Sequence, residues 1–211
     1  MNIVEVSHIK KSFGQHVIFD DFSFSVKQGE FLGISGKSGT GKSTLLNMIG
    51  LLDKPDTGEI TLFGEQNILP FSRKAEKFLK FHIGYLFQNF ALLENETVYY
   101  NMNIAVEYHK IDNKKEKIKE ALEMVGLSGY DNKKIYECSG GEQQRIAIAR
   151  LLIKPCELVL ADEPTGSLDS ENKKLVFSLL KKLQDMGKTL IVVSHDEDLL
   201  RITDRIIYLN Q

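Results

Sequence analysis

Two cysteines in 211 residues, Cys138 and Cys156, are too few for a disulfide framework, and free thiols in a reducing compartment are the expected state. Apolar runs long enough to cross a membrane are also missing. A span needs about 18–20 residues, whereas the longest apolar stretches, such as 158–161 and 190–193, have strand length. Residues 1–11 show no basic segment followed by an apolar one, so no signal peptide is expected. The protein should therefore be made and kept in the cytosol and reach any membrane through a partner. Charge imbalance is missing too. With 27 Lys and Arg against 29 Asp and Glu, the net charge of −2 gives no basic footprint, and no nucleic-acid partner is expected. There is no low-complexity tract, no internal repeat and no sustained heptad run. His8, His16, His82 and His109 show no metal-ligand spacing with His195.

What is there reads as alternating strand and helix. Phe22, Phe24 and Val26 alternate with Ser23, Ser25 and Lys27, which is strand period. A short apolar strand at 31–35 runs into a Gly-rich loop and then a helix carrying Leu45, Leu46, Ile49 and Leu52. Asp56-Thr57-Gly58 reads as a turn, followed by strands at 60–63 and 83–87. From 98 to 125 the pattern is helical, with Ile118, Ala121, Leu122 and Val125 on one face and Gly126 as the stop. Another helix follows Ser139 and ends at Pro155. Strand 158–162, a helix that Gly187 ends, and strand 190–194 complete the pattern. Alternation at both ends implies an α/β fold with a mainly parallel sheet. Residues 1–88 and 156–211 form its core lobe, and about 89–155 form a helical insertion.

Gly36-Lys37-Ser38-Gly39-Thr40-Gly41-Lys42-Ser43, followed by Thr44, fits G-x-x-x-x-G-K-[ST] between a strand and a helix. Glycines there let backbone N–H groups turn inward around phosphate oxygens, and the helix N-terminus adds a favourable dipole. Lys42 would reach the β- and γ-phosphates and Ser43 would ligate Mg²⁺. The apolar strand 158–161 ends in Asp162 and Glu163. Parallel strands deliver side chains to a crevice at their C-terminal ends. Asp162 would hold Mg²⁺ there and Glu163 would polarise the attacking water as a general base. Ser139 and Glu142 form a capping box, S-x-x-E, around Gly140 and Gly141. By itself this only starts a helix. A free N-terminus with two glycines is also an anion site, and a chain with one complete phosphate loop has no evident need of a second.

Taken together, these residues resemble the ATP-binding cassette (ABC) ATPases. Ser139-Gly140-Gly141-Glu142-Gln143 looks like their signature motif, with Cys138 where Leu is usual. Gln88 resembles the Q-loop glutamine, Ser167-Leu168-Asp169 the D-loop, and His195 the switch histidine. Phe13 stands where the family places an aromatic ring against adenine. The motifs occur in the family's order along essentially the whole chain. The resemblance implies a P-loop NTPase core with N-terminal antiparallel strands and an inserted α-helical subdomain. It implies ATP and Mg²⁺ as ligands, with Gln88 also at the metal and Ser139, Gly140, Gly141 and Asp169 at the nucleotide of a second copy. The stretches 162–169 and 87–93 resemble the group serving macrolide efflux, lipoprotein release and antimicrobial-peptide export. In that group the ATPase drives a separate transmembrane permease from the cytoplasmic face of the cell membrane. With its end at Gln211, the chain is expected to be one nucleotide-binding domain over 1–211 without an appended regulatory domain. A soluble ABC ATPase acting on ribosomes or DNA is the alternative, but such proteins usually carry two cassettes or a long coiled coil. A GTPase is disfavoured, because the guanine-reading Asn-Lys-x-Asp is absent: three Asn-Lys-Lys runs continue with Glu116, Ile135 and Leu175. Phe90, Leu92 and Leu93, just after Gln88, are candidates for permease contact, or for insertion core.

Overall fold

The computed structural model describes residues 1–166 and 168–209. Ser167, read above as part of the D-loop, lies outside the described residues. Two sheets and seven α-helices are formed among the described residues. An antiparallel sheet has the order β2-β1-β4, from β1 (Asn2–Phe13), β2 (His16–Lys27) and β4 (Thr57–Leu62). A wholly parallel sheet has the order β5-β6-β7-β3-β8, from β3 (Phe31–Gly36), β5 (Ile83–Leu86), β6 (Leu158–Asp162), β7 (Thr189–Val193) and β8 (Arg205–Leu209). The helices are α1 (Lys42–Ile49), α2 (Arg73–Phe81), α3 (Val98–Ile104), α4 (Lys114–Met124), α5 (Gly140–Ile153), α6 (Ser170–Asp185) and α7 (Glu197–Arg201).

The apolar runs that looked too short for a membrane are the strands of the parallel sheet, and their two-residue period sorts the core into two layers. Leu32, Ile34, Leu158, Leu160, Ile191 and Val193 face one side, where they pack with α1 and the antiparallel sheet. Phe31, Val159, Ala161, Leu190 and Val192 face the other, where they join α3, α4, α5 and α6 in a single apolar cluster. Leu45, Leu46 and Ile49 of α1 are fully buried, each worth roughly 1.5–3 kcal/mol of burial. This packing clamps α1 against the sheet and fixes the phosphate loop at its start.

Four local expectations are corrected. Asp56-Thr57-Gly58 is not a free turn, because β4 begins at Thr57, opposite Lys10. Asp56 is tied to β1 on both sides, its N–H donating to the Lys10 carbonyl and its carboxylate accepting from Ser12 N. Gly58 sits at φ +84°, and a Cβ there would lie 2.3 Å from the His8 carbonyl oxygen, so only glycine fits this approach. The helical stretch 98–125 is two helices rather than one. The turn between them is held by His109, whose Nε2 lies 3.0 Å from the Lys80 carbonyl oxygen and whose ring meets Phe81 edge-on at 5.2 Å. Two helices escaped the sequence reading. In α2, capped by Ser72, only Ala75 and Phe78 are buried; α7, capped by Asp196, is a single turn. Strand 83–87 stops at Leu86 and strand 190–194 runs from Thr189 to Val193.

Candidate nucleotide site

At the C-terminal ends of β3, β6 and β7 lies a cleft of about 580 Å³, lined by Phe13, Ile18, Ser38, Gly39, Gly41, Lys42, Ser43, Thr44, Gln88, Glu163, Gly166 and His195. The cleft starts from the phosphate loop. Lys42 is buried, and its Nζ donates to the Gly36 and Lys37 carbonyls at 2.8 and 2.9 Å. The hydroxyl of Thr40 donates to the Lys37 carbonyl at 2.9 Å, closing the turn. Gly41 caps α1 at φ +89°, where a Cβ would lie 2.2 Å from Ile18 Cγ2. The hairpin of β1 and β2 thus presses directly on the loop. That leaves the first N–H groups of α1, and the dipole behind them, facing the cleft.

Opposite stand the ends of β6 and β7. Glu163 leaves β6 at φ +46° and hydrogen bonds through its N–H to the Val193 carbonyl at 2.9 Å. Its carboxylate meets His195 twice: Oε2 accepts from the His195 N–H at 3.3 Å, and Oε1 lies 3.2 Å from Nε2. The second contact has the distance of an ion pair but not the alignment of a hydrogen bond, and Oε1 is without a hydrogen-bond partner. Burial pushes the Glu163 carboxyl above its ordinary value, and the nearby His195 and Lys42 charges offset only part of that. A partly buried carboxylate with a raised pKa beside a phosphate loop has the character of a general base.

Asp162 is buried just behind, and its Oδ1 has no hydrogen-bond partner. It shares a recess of about 470 Å³ with Asn47, Tyr85 and Gln88. Burial, and then the Asp162 charge, push the Tyr85 phenol well up; its hydroxyl donates to Asn47 Oδ1 at 2.9 Å. An orphaned buried carboxylate oxygen is costly unless a cation meets it. Gln88 lines both this recess and the cleft that holds Ser43, and Asp162, the Ser43 hydroxyl and the Gln88 amide oxygen would offer hard oxygens of the kind that suits Mg²⁺. No group of three or more His, Cys, Asp or Glu capable of holding a metal is found among the described residues. The ion would therefore complete its shell with substrate phosphate oxygens and water.

Not every candidate residue meets this cleft. Ser139 and Gly140 are exposed and lie outside it, although the capping box forms as expected: Ser139 Oγ accepts from Glu142 N at 3.3 Å, and Glu142 Oε2 accepts from Ser139 N at 2.7 Å. Gly141 lies beside Asn172. Asp169 is exposed and caps α6, its carboxyl lowered by the N–H and side chain of Asn172. Ile18, Gly166, Asn47 and Tyr85 were not singled out from sequence, nor was Arg150. That residue donates from α5 to the Phe90 and Ala91 carbonyls at 2.6 and 2.8 Å and thereby fixes the segment after Gln88. These roles arise from long-range approach and leave no local signal.

The same cassette is found in known proteins. The model of the ABC transporter family matches residues 19–166. The spermidine/putrescine import ATP-binding protein PotA of Mycoplasma mycoides subsp. mycoides is 40% identical over all of this chain, which spans 59% of that relative's length. The lipoprotein-releasing system ATP-binding protein LolD of Bacteroides fragilis is 39% identical over 98% of this chain and 97% of its own. Among solved structures, a dimeric post-hydrolysis state of the ATP-binding cassette MJ0796 bound to ADP and Pi superposes with a TM-score of 0.89 at 35% identity, covering 98% of this chain and 94% of that one. The family model matches more than half of the chain, and these relatives match nearly all of it: the chain belongs to the ABC transporter family.

Proposed function

We propose that the chain is the ATP-binding and ATP-hydrolysing subunit of an ABC membrane transporter, and that it powers export or extrusion of a peptide, lipoprotein or drug through a separate permease. The observation that carries the ATPase reading is the meeting of Lys42, Ser43, Gln88, Glu163 and His195 around one cleft. In this reading Phe13 stacks on adenine, while the loop from Gly36 through Thr44 wraps the phosphates. Lys42 balances β/γ charge, and Ser43, Gln88 and Asp162 hold Mg²⁺, which neutralises phosphate charge when bound. Glu163 takes the proton of the attacking water, and His195 orients Glu163 and the γ-phosphate. Residues 1–88 and 156–211 act as the nucleotide-binding lobe and 89–155 as the helical insertion of a single domain.

Ser139, Gly140, Gly141 and Asp169 do not line this chain's own cleft, which supports a two-fold dimer in which each chain closes on the nucleotide of the other. A second recess of about 470 Å³, lined by Phe87, Ala91, Leu93, Ile104 and Ala105 among others, is where the permease docks at the cytoplasmic membrane face. Of the three apolar candidates, Phe90 and Leu92 pack on the core, while Leu93 is half exposed at the recess. No helix among the described residues is long and apolar enough to span a membrane, so attachment goes through that docking. Export is favoured by the residues at 162–169 and 87–93; PotA is named for import and LolD for release.

Lys42→Ala tests the first reading, with ATP binding or turnover expected to be nearly abolished; unchanged hydrolysis would discard the loop as the working site. Membrane co-purification of the tagged chain, followed by ATP-driven substrate movement in inside-out vesicles, tests the second. Recovery on ribosomes or DNA instead would favour the soluble alternative.

A further inference from the structure

The first turn of α6 touches both halves of the proposed machinery, yet its residues Asn172 and Lys173 belong to none of the motifs. Asn172 lies against the signature loop: a Cβ on Gly141 would sit 3.4 Å from its side-chain Cγ and Oδ1. Arg145, one turn into α5 beyond Gly141, donates to Asn172 Oδ1 at 2.5 Å. Asn172 donates in turn to both carboxylate oxygens of Asp169, from its N–H at 2.8 Å and from Nδ2 at 2.7 Å. Its amide is thus held between a cation and an anion, which fixes which way it points. The next residue faces the other half. Lys173 Nζ pairs with Asp196 Oδ2 at 2.7 Å, and the Thr165 hydroxyl donates to the same oxygen at 3.4 Å. Through Oδ1, Asp196 accepts from the N–H groups of Asp198 and Leu199 and caps α7. Asp196 directly follows His195, whose ring meets Glu163. With its carboxyl mostly buried, Asp196 depends on Lys173 for charge compensation.

Consecutive residues of one helical turn cannot shift independently. We infer that the first turn of α6 couples the signature loop to the switch histidine, with Lys173 positioning His195 through Asp196 and Asn172 tying that position to Gly141 and Arg145. The inference rests on the dimeric ATPase reading given above. In such a dimer each chain's signature loop engages its partner's nucleotide, while its own His195 serves its own. Closure at one site then aligns the histidine at the other, and the two sites respond to ATP together.

The experiment uses the full chain and three variants, Lys173→Met, Lys173→Arg and Asn172→Ala. Binding of a fluorescent ATP analogue and steady-state ATP hydrolysis are measured, with thermal melts confirming folding. Analogue affinity should stay at the wild-type value, because neither residue lines the cleft. Lys173→Met should lower kcat about tenfold or more, since small misplacement of a reacting group is that costly. Lys173→Met and Asn172→Ala should both bring the Hill coefficient for ATP from near two toward about one. Lys173→Arg should restore kcat and cooperativity. Wild-type Hill coefficients in Lys173→Met and Asn172→Ala, or an Arg variant as impaired as Met, would overturn the coupling. So would wild-type hydrolysis without cooperativity. A wild-type chain that binds no ATP would overturn the ATPase reading instead.

Discussion

Replacing Glu163 by glutamine separates the base chemistry from association held by nucleotide. Glutamine keeps the shape and can still accept from the His195 N–H, now made to Oε2 at 3.3 Å, so the end of β6 should hold its course. What is lost is a proton acceptor, and removing a general base slows turnover by roughly 10²–10⁴. A negative charge beside the γ-phosphate is lost as well. At a separation of about 5 Å and an effective dielectric of about 20, that repulsion is about 3 kcal/mol, equivalent to a hundredfold or somewhat more in affinity at roughly 1.4 kcal/mol per decade. Glu163→Gln should therefore elute as a dimer with ATP in size-exclusion chromatography and as a monomer without it. The control adds Gly140→Asp. A Cβ there meets nothing within 4 Å in its own chain, so the fold should accept the change. A carboxylate at Gly140 would oppose the phosphate on the partner and block closure. The double variant should bind ATP yet stay monomeric. Normal hydrolysis by Glu163→Gln would remove Glu163 as the base, and an ATP-dependent dimer of the double variant would remove the signature loop as the second half-site.

Other consequences are more local. Gly41→Ala places a methyl group 2.2 Å from Ile18 Cγ2 at φ +89°, a strain of about 1–2 kcal/mol from the backbone alone; ATP affinity measured by titration should fall more than the melting temperature does. Arg150→Met leaves two carbonyls without a donor; burial draws the Arg150 guanidinium down to about 10, so it is charged at neutral pH and supplies charged donors to both. Denaturant unfolding should show a loss of about 1–3 kcal/mol, with the ATP KM raised through Gln88; unchanged stability and KM would show that the segment is held by other contacts. The pH dependence has a definite sign. Glu163 must be ionised to act, and burial raises its pKa, so kcat should rise with pH through an acid limb lying above the ordinary carboxylate value of about 4.3. An acid limb at or below that value would refute the assignment.

Motifs that combine a loop with the strand before it and the helix after it were fully legible in the sequence. The phosphate loop, the acids at the end of β6 and the capping box of α5 each stand where local pattern placed them. The parallel strands β3, β5, β6 and β7 were legible because they are buried on both faces, which makes them continuous apolar runs, whereas the part-exposed β8 was not assigned. What escaped depends on distance in the chain. Nothing around Asp56 reveals that Lys10 and Ser12 will fix it, and nothing in 105–113 reveals that His109 will reach Lys80. Helix α2 is only nine residues long and buries just Ala75 and Phe78, too short a run to stand out although its faces are well separated. Asp169 caps α6 within its own chain, a local role that the motif reading did not state.

Two helix N-termini in this chain are built around paired glycines, and their differences assign their roles. The start of α1 is walled by Phe13, Ile18, Glu163 and His195 and carries its own buried lysine. The start of α5 is open and carries Glu142 in its first turn. Burial would raise that carboxyl, but the Tyr130 hydroxyl, the Ser139 N–H and Lys133 together hold it below the usual range, so it is a fixed anion at neutral pH. An N-terminus already facing an anion of its own makes a poor resting place for a multiply charged phosphate. It serves better as a surface that completes a site neutralised elsewhere by a lysine and a metal ion. On the function proposed above, the first loop would hold the nucleotide and the second would close over it from a second copy, and the charges of the single chain already distinguish those two roles.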